Sequence, residues 1–558
     1  MKTRVMRTFI LLLALLMAFT SAAEAFTYSS SVEKKLFSVS ELKDYKKPTT
    51  PAFDEDKGWS SFTTVKERSR YLDNLSEKCP YIHVFTKENL SDVPVVFFSS
   101  EDMSGAEDWK DAADVFTSSG KINVMYHAQL HGDEPAGGEG ALYLLQRIAG
   151  DEEYAAYLAE HLNICVIPCG NPDAARIKSR EDSNGDNVNA DNLFVKSKYT
   201  RWLHDLYHAI YPEVVMDSHE CVSNMQLAPN KPTDYFTDVY FAGTSSLNID
   251  HRLNEWSSYL VEKAMSRCKS AGLRVSLYDN SLTSVNNVAS RNYYGLGGSV
   301  SILIESMGVN MGKSHFNRRV YSHYRAADSI LRNVIKNKEA LASDIAAVRS
   351  ELAGQGKKFS SDNRFVLEQG ISENEYTTVS RNIYNSTSGK KVSSVKYKIY
   401  WHDEIIRSRA LPTAYVISKK TKNADKAIKK LRYNGVEYFE IEPGTKIKVS
   451  SFSGDGTKAT LTKARDLTFS KGAYVIPMDQ PMSRIIAACL EPDVYETLDY
   501  KGTFVQSGLL KASQIYRYTK SNPREKLGPE PEEQPAPEQQ PGSEDPAPEV
   551  SAEIFITE

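Results

Sequence analysis

A histidine and a glutamate stand three residues apart in the short stretch His131-Gly132-Asp133-Glu134, where both side chains could hold one metal ion. An imidazole nitrogen and a carboxylate oxygen both bind zinc at about 2 Å, provided that the turn brings them to the same side. The spacing alone is weak evidence, because a chain with 11 histidines should contain roughly one such pair by chance. The other ligands of such a metal site must therefore come from other parts of the chain.

Polar clusters of this kind recur where apolar runs end. Asn171-Pro172-Asp173 follows the run 163–168, Asp217-Ser218-His219-Glu220 follows 213–216, and Glu305 follows 300–304. The pair at 131 and 134 likewise comes after an apolar run, 122–126. In an open α/β sheet, ligands lie outside the carboxyl ends of the strands, so these side chains are expected to converge on one crevice.

The segments around these clusters alternate between strand and helix patterns. Apolar spacing predicts helices in 65–75, 141–149 and 320–335, and a strand in 93–98. Alternation of this kind is typical of an α/β domain with a mostly parallel sheet. We assign that domain to residues 60–345.

The pattern changes after about residue 352. We predict a linker in 346–380, a smaller β-rich domain in 381–515, and a disordered Pro/Glu-rich tail in 516–558. Within the second domain, strands are expected at 392–401 and 445–452 and a helix at 424–433. Its lysine-rich faces are most simply solvated surface, and a carbohydrate- or cell-wall-binding role is the alternative.

The first 25 residues have the form of a secretory signal. Lys2, Arg4 and Arg7 precede the apolar run 9–19, and Ala23-Glu24-Ala25 forms a cleavage site, so the mature chain is expected to start at Phe26 and to be secreted or periplasmic. An uncleaved anchor is the alternative, but the run is about half of the roughly 20 residues that span a bilayer. No later segment is expected to be transmembrane. Residues 26–59 are an N-terminal extension, either a short pro-segment or an edge extension.

The net charge of -4 is nearly balanced for 558 residues. A nucleic-acid binder would normally show a strongly basic domain or patch, so no nucleic-acid partner is expected.

The ordered motifs resemble those of the M14 family of zinc carboxypeptidases. The resemblance rests on His131-Gly132-Asp133-Glu134, Asn171-Pro172-Asp173 with Arg180 downstream, Asp217-Ser218-His219 and Leu303-Ile304-Glu305. It covers residues 63–338. It implies the family fold, a mixed, mostly parallel eight-stranded sheet with helices on both faces.

By this resemblance, His131, Glu134 and His219 hold one zinc ion per chain. Two imidazoles and one carboxylate leave the fourth position of a tetrahedral zinc open for water, which is the catalytic arrangement and not the structural one. Zinc so placed can bring the pKa of its water to about 7 and can polarise a carbonyl. The implied reaction is hydrolysis of an amide bond.

Two further residues match catalytic positions of the family. Glu305 matches the general base, although a carboxylate at a strand end could also serve a plain salt bridge. Arg180 matches the arginine that stabilises the negative oxygen of the tetrahedral intermediate. Arg176, one helical turn earlier, could take that role instead.

The sequence departs from the family pattern at the residues that hold the substrate's terminal carboxylate. The family usually has Asn-Arg, whereas this chain has Asn189 followed by Ala190. Loss of a bidentate guanidinium should weaken specificity for a free C-terminus. Arg291, shortly before Glu305, is the candidate to supply the missing charge.

Other residues near the motifs have simpler interpretations. Cys221 could be a metal ligand, but a buried structural cysteine is more common. The stretch Asp182-Ser183-Asn184-Gly185-Asp186 starts like a calcium loop and lacks the later glycine and glutamate, so a surface turn is favoured. We interpret His127, His204 and His208 as packed or surface histidines.

The sequence thus predicts a zinc-dependent peptidase of carboxypeptidase type with a peptide or amide substrate. One alternative is an amidase or deacylase acting on cell-wall peptides or acylated amino acids, which need no clamp for a terminal carboxylate. A second alternative is a non-catalytic binding module that has kept the fold. Measurement of bound zinc would separate an enzyme from that module.

Overall fold

The computed structural model describes residues 30–86, 90, 93–221, 233–234, 236–278, 286–385, 388–495 and 502–528. The expected signal in 1–25 and the last 30 residues of the expected tail, 529–558, lie outside these ranges. Among the described residues, no helix combines the length and apolar character needed to cross a bilayer.

The helices are numbered here in chain order. They are α1 Ser30–Leu36, α2 Val65–Ser76, α3 Trp109–Ser118, α4 Pro135–Ala149, α5 Glu152–His161, α6 Pro172–Ile177, α7 Lys198–Ile210, α8 His251–Ser270, α9 Ser290–Leu296, α10 Phe316–Lys336, α11 Lys338–Gln355, α12 Ala424–Tyr433, α13 Ser483–Leu490 and α14 Pro523–Leu527. Short 3-10 helices occur at Pro51–Phe53, Val188–Ala190 and Ala512–Gln514.

The strands are numbered in the same way. They are β1 Ile82–Phe85, β2 Val95–Phe98, β3 Ile122–Ala128, β4 Leu162–Ile167, β5 Val214–Cys221, β6 Thr233–Asp234, β7 Val239–Ala242, β8 Val275–Leu277, β9 Val300–Met307, β10 Arg364–Asn385, β11 Lys391–Ala410, β12 Ala414–Ser418, β13 Phe439–Ile441, β14 Thr445–Gly454, β15 Ala459–Leu461, β16 Arg465–Phe469, β17 Ala473–Pro477 and β18 Ile515–Tyr518.

An eight-stranded sheet organises the first domain, with the order β1-β2-β4-β3-β5-β9-β7-β8. Its central strands β4, β3, β5 and β9 are parallel, whereas β1, β2 and β7 make antiparallel pairs. Every residue of β3 and β4 is buried. A strand buried along its whole length must be covered on both faces, so helices pack on each side of the sheet. This is the predicted fold class.

The register of the parallel strands brings the polar clusters together. His219 on β5 lies directly opposite Glu305 on β9, and Ala128 at the end of β3 lies opposite Ser218. Helix α4 begins immediately after Glu134, with Pro135 at its first position, where a missing N–H is tolerated. The carboxyl ends of β3, β5 and β9 therefore share one edge of the sheet.

The second half of the chain contains two more sheets. The long strands β10 and β11 form an antiparallel ribbon, and β6 of the first domain pairs with the end of β10. A seven-stranded sheet has the order β13-β17-β12-β18-β14-β15, with β16 on β14. One hydrophobic cluster contains residues of both halves, for example Leu296 and Ile485. The two halves therefore share a core.

The expected linker in 346–380 differs from the structure. It contains the end of α11 and most of β10. Ile345, Val348 and Leu352 recur at helical spacing and are buried, so the helix continues past the expected domain end. The many polar residues of β10 hid its strand pattern.

The expected start of the tail at residue 516 also needs correction. Strand β18 lies between β12 and β14 in the middle of the seven-stranded sheet, and Arg517 and Tyr518 are buried. Four strand residues next to a Pro/Glu-rich stretch give too short a pattern to be recognised in the sequence. Residues 529–558, where the tail prediction still applies, lie outside the described residues.

Candidate metal centre and cleft

Three side chains from two parts of the first domain meet at one point. His131 and Glu134 come from the turn between β3 and α4, and His219 comes from β5. The Nδ1 atoms of the two histidines are 3.2 Å apart. The Glu134 carboxylate lies 2.7 Å from Nδ1 of His131 and 2.8 Å from Nδ1 of His219. Within the described part of the chain, this is the one buried group of His, Cys, Asp or Glu side chains that could hold a metal ion.

The donor set fits a zinc ion. Two nitrogens on a tetrahedral zinc, each at about 2.05 Å, are about 3.3 Å apart, close to the distance between the two Nδ1 atoms. The outer nitrogens are occupied by other groups: Nε2 of His131 lies 3.1 Å from Oδ1 of Asn187, and Nε2 of His219 lies 2.8 Å from Oδ1 of Asp217. Such partners fix the ring orientation and leave the inner nitrogens for the metal.

The charge state of Glu134 also suits a ligand. Burial alone would raise the pKa of its carboxyl, but His131 and His219 together hold that pKa well below its usual range. The carboxylate is therefore ionised, which is the form that binds metal.

Glu305 lies beside this group on the neighbouring strand. It lies opposite His219 in the strand register and is partly exposed. Desolvation raises the pKa of its carboxyl to about 7, and the nearby Glu134 acts in the same direction. A carboxyl with a pKa near 7 is suited to accept and return a proton at neutral pH.

The two candidate arginines occupy different places. Nη1 of Arg180 lies 3.2 Å from Nδ1 of His131 and 3.4 Å from Oε1 of Glu134, and its side chain is 50% exposed. Arg176 instead pairs with Asp173 at 2.7 Å and is 69% exposed. Arg180 is thus the arginine next to the candidate metal centre.

Asn189 and Arg291 lie near each other. Oδ1 of Asn189 accepts a hydrogen bond from the backbone N–H of Ser290 at 3.3 Å, and Arg291 follows in α9. Arg291 is only 5% exposed. Burial lowers the pKa of its guanidinium, while the charges of Tyr278 and Glu305 raise it, so all three groups share one electrostatic environment.

Tyr278 was not singled out from the sequence. It follows β8 directly, and Glu305 is the first cause of the raised pKa of its hydroxyl, followed by burial. Several tyrosines lie between His219 and Glu305 in the sequence. Tyr278 is distinguished from them only by the position of β8 beside β7 in the sheet, which the sequence does not show.

Arg319 was not singled out from the sequence, and Glu220 was named only as part of its strand-end cluster. The two side chains form a buried bidentate ion pair with distances of 2.7 and 2.9 Å. Glu220 also accepts hydrogen bonds from the N–H of Ala136 in α4 and from the hydroxyl of Ser306 on β9. The backbone N–H of Glu220 donates to Oε2 of Glu134 at 2.9 Å. This pair therefore joins the elements that carry the candidate ligands and Glu305.

The remaining sequence candidates take structural positions. Asp182 accepts hydrogen bonds from the backbone N–H groups of Asn184 and Asp186, as in a turn. Cys221 lies outside the metal-binding group, and its thiol contacts the carbonyl of Ser306 at 3.6 Å. All six cysteines are free thiols.

The three histidines that we interpreted from the sequence as packed or surface residues also lie outside the metal-binding group. His127 packs edge-on against Tyr294. His204 lies 3.1 Å from Oδ1 of Asn192, and His208 contacts the ring of Tyr207.

A cavity of about 780 Å³ lies beside the turn that carries two of the candidate ligands, and the ligands themselves do not line it. Gly132 and Asp133, which separate two of the candidate ligands, form part of its wall. Trp59, which is 49% exposed, and the loop around Gly308 form other parts. A cavity of this size can hold several residues of an extended peptide or an equivalent ligand.

Residues 95–192 match the Peptidase_M14 family model, described as zinc carboxypeptidase. The match includes His131, Glu134, Arg180 and Asn189 and ends before His219.

Relatives named Carboxypeptidase 2 are similar over a longer range. The chain is 26% identical over 403 residues to Carboxypeptidase 2 of Trichophyton rubrum, covering 67% of this chain and 73% of that protein. For Carboxypeptidase 2 of Trichophyton equinum, the values are 26% over 430 residues, 72% and 76%. A solved metallo-carboxypeptidase from Burkholderia cenocepacia superposes with a TM-score of 0.36 and 14% identity, covering 50% of this chain and 71% of that one.

Proposed function

Because the chain carries a zinc carboxypeptidase domain of the M14 family, we propose that it is a secreted or periplasmic peptidase that hydrolyses an amide bond of a peptide. The main support is the convergence of His131, Glu134 and His219, with Glu305 paired opposite His219. Two imidazoles and one carboxylate are a donor set that suits one zinc ion per chain.

Each residue of the cleft has a part in the proposed reaction. When bound, zinc supplies Lewis-acid chemistry, which polarises the substrate carbonyl and acidifies water. Glu305 takes a proton from the attacking water and passes it to the leaving nitrogen. Arg180 carries a permanent charge that stabilises the oxyanion formed when the carbonyl is attacked.

Substrate orientation is assigned to Asn189 and Arg291. Ala190 offers no charge where the family has arginine, whereas Arg291 follows the residue that Asn189 contacts. We assign the terminal carboxylate of the substrate to Arg291 and the amide of Asn189. The cavity beside Asp133 would receive the residues before the scissile bond.

An amidase or deacylase of the same domain type is the second candidate. The observation that favours it is Ala190, because a substrate without a terminal carboxylate needs no guanidinium at that position. Cell-wall peptides cleaved at a bond away from a free carboxylate are substrates of this kind, whereas acylated amino acids keep their carboxylate and would need another group to bind it.

The two candidates are distinguished with a peptide that has a free C-terminus and with its amidated twin. A carboxypeptidase cleaves the free peptide far better, and Arg291→Ala should remove that preference without affecting the amidated twin. Glu305→Gln should lower turnover of either substrate by about 10²- to 10⁴-fold while zinc content stays constant. Equal turnover of both peptides would favour the amidase.

Zinc and export are tested separately. Purified protein should contain about one zinc per chain, and chelation should abolish turnover until zinc is restored. The mature N-terminus in the native host should be Phe26, and a protein that keeps residues 1–25 would contradict the proposed export.

A further inference from the structure

A second cavity, of about 350 Å³, lies far from the candidate metal centre. Glu134 is at the start of α4, and Arg147, which lines this cavity, is in its last turn. At 1.5 Å per residue the two are about 20 Å apart along the helix. Residues 44–46, α8 and α10 complete the walls, so the cavity belongs to the opposite end of the sheet.

Positive charge dominates the lining. Five cationic side chains line the cavity, Lys46, Arg147, Arg267, Arg325 and Arg332, against the two carboxylates Asp44 and Asp328. This concentration contrasts with a whole chain whose net charge is -4.

The two carboxylates offset only part of this positive charge. Asp328 is 1% exposed, and its Oδ1 accepts hydrogen bonds from Arg332 Nε at 2.9 Å and from the Tyr154 hydroxyl at 2.7 Å. The side chain of Asp44 is 71% exposed and lies 3.9 Å from Arg325. A carboxylate so exposed contributes little, because water screens its charge.

Arg325 is the most buried cation of the lining, and neither neighbouring carboxylate is hydrogen-bonded to it. It is 4% exposed, and its nearest carboxylate oxygens lie at 3.6 and 3.9 Å, beyond hydrogen-bonding distance. Its buried Nε makes no hydrogen bond in the structure. Burying a guanidinium without a hydrogen-bonded anion is costly, so an anion that bonds to Arg325 would be favoured here.

Helix ends explain only part of this cluster. Arg147 and Arg267 lie in the last turns of α4 and α8, where a cation is favoured by the helix dipole. Arg325 and Arg332 lie within α10 before its last turn, so the dipole gives no reason for them. Tyrosine rings stack on these guanidinium groups, with Arg332 4.4 Å from the ring of Tyr154 and Arg147 5.2 Å from the ring of Tyr324.

We propose that this cavity binds an anionic phosphate or sulfate group. The lining carries three more positive than negative charges, and guanidinium groups match the oxygens of phosphate and sulfate in geometry. The group comes either from a free anion or from the headgroup of an anionic lipid.

Calorimetric titration of the zinc-loaded full chain with sodium phosphate or sulfate, at an ionic strength held constant with sodium chloride, tests the site. Saturable binding is expected, weakened about ten-fold in Arg267→Ala, because one charge-assisted contact is lost. Arg267 is exposed, so this variant should fold. Arg70→Ala, which removes an exposed arginine of α2 outside the cavity, is the matched control and should bind as the wild type does.

Equal affinity of wild type and Arg267→Ala for phosphate would overturn the proposal, since the anion would then bind elsewhere, including at the metal centre. Co-sedimentation with phosphatidylcholine vesicles, with and without phosphatidylglycerol, separates the two sources. A preference for phosphatidylglycerol that is lost in Arg267→Ala identifies a lipid headgroup. Free-anion binding without that preference identifies a soluble ligand, and no binding in either experiment rejects the site.

Discussion

The carboxylate of Glu220 holds together three parts of the cleft. The carboxylate accepts hydrogen bonds from the N–H of Ala136 at the start of α4, from Ser306 on β9 and from Arg319 on α10. The backbone N–H of Glu220 donates to Glu134. Groups that orient metal ligands usually influence metal affinity as well as stability. Glu220 is therefore a positioning residue for the proposed centre.

Glu220→Gln should weaken zinc binding by about ten- to hundred-fold and lower the free energy of unfolding by about 3 kcal/mol, because Arg319 loses its buried partner. Zinc titration of the metal-free protein and denaturant unfolding measure the two effects. Glu55→Gln, at an exposed ion pair with Lys47, is the control and should change neither. A loss of stability with unchanged zinc affinity would reduce Glu220 to a purely structural role.

Sequence patterns located the residues at strand ends but not those that support them. His219 and Glu305 each close an apolar run, and strand order then brings them together, as expected. Their chemical roles stay predictions. Asn187 and the Glu220–Arg319 pair have no local pattern, because their contacts depend on which strands are neighbours and on side-chain directions. Asp217 could have been recognised, since residues two apart on a strand share a face.

Among the elements, the segment 37–63, which we call the N-terminal strap, belongs to the folded domain. It crosses the helices behind the sheet: Arg318 donates to the carbonyl of Ser38 at 2.7 Å, and the Tyr45 hydroxyl donates to Asn317 at 2.6 Å. The hydroxyls of Tyr143 and Tyr321 donate to backbone carbonyls of the strap. The strap contains no strand, so it is not an edge extension of the sheet.

A chain that begins at Ser60 should lose stability and gain no activity, because removal of the strap exposes buried partners on α4 and α10. Each lost hydrogen bond should cost about 1 kcal/mol. Thermal unfolding and turnover of both chains measure the result. Tyr321→Phe probes one contact, with exposed Tyr157→Phe as its control. Higher turnover after trimming would instead identify a pro-segment.

Helix α10 packs on α4 through His323, which makes its stability dependent on pH. His323 is fully buried against Gly140, and Nε2 lies 3.1 Å from the Ser306 hydroxyl. Burial, with the charges of Arg319 and His219, lowers its pKa to about 3, and Glu134 opposes this shift. In the unfolded chain this histidine has a pKa of about 6.5. The unfolded chain therefore binds a proton at mildly acidic pH, whereas the folded chain does not.

Stability should therefore fall as pH decreases from about 6.5 towards 3, by about 2 kcal/mol at pH 5 from this residue. Denaturant unfolding at pH 7 and pH 5 should show a smaller difference for His323→Gln than for the wild type. His251→Gln, at an exposed position on α8, serves as the control and should keep the wild-type difference. An unchanged pH dependence in His323→Gln would exclude this histidine as the cause.

At the scale of the whole molecule, the two halves depend on each other. Asn434, just after α12, donates to the carbonyl of Leu193, and His204 of α7 lies 3.2 Å from the carbonyl of Tyr433. The shared hydrophobic cluster extends from the first sheet to β18. Halves joined in this way are expected to unfold in one cooperative transition.

Two C-terminal truncations test this cooperativity. A chain that ends at Gln514 lacks β18, so β12 and β14 lose a common partner, and both halves should unfold at a lower temperature in calorimetry. A chain that ends at Gly528 keeps every described element and loses only the Pro/Glu-rich stretch, whose composition cannot bury a core, so its unfolding temperature should match the full chain. The contrary result would be two transitions, of which loss of β18 lowers the temperature of one and leaves the other unchanged. The first domain would then be stable alone, and the shared core would contribute little to its stability.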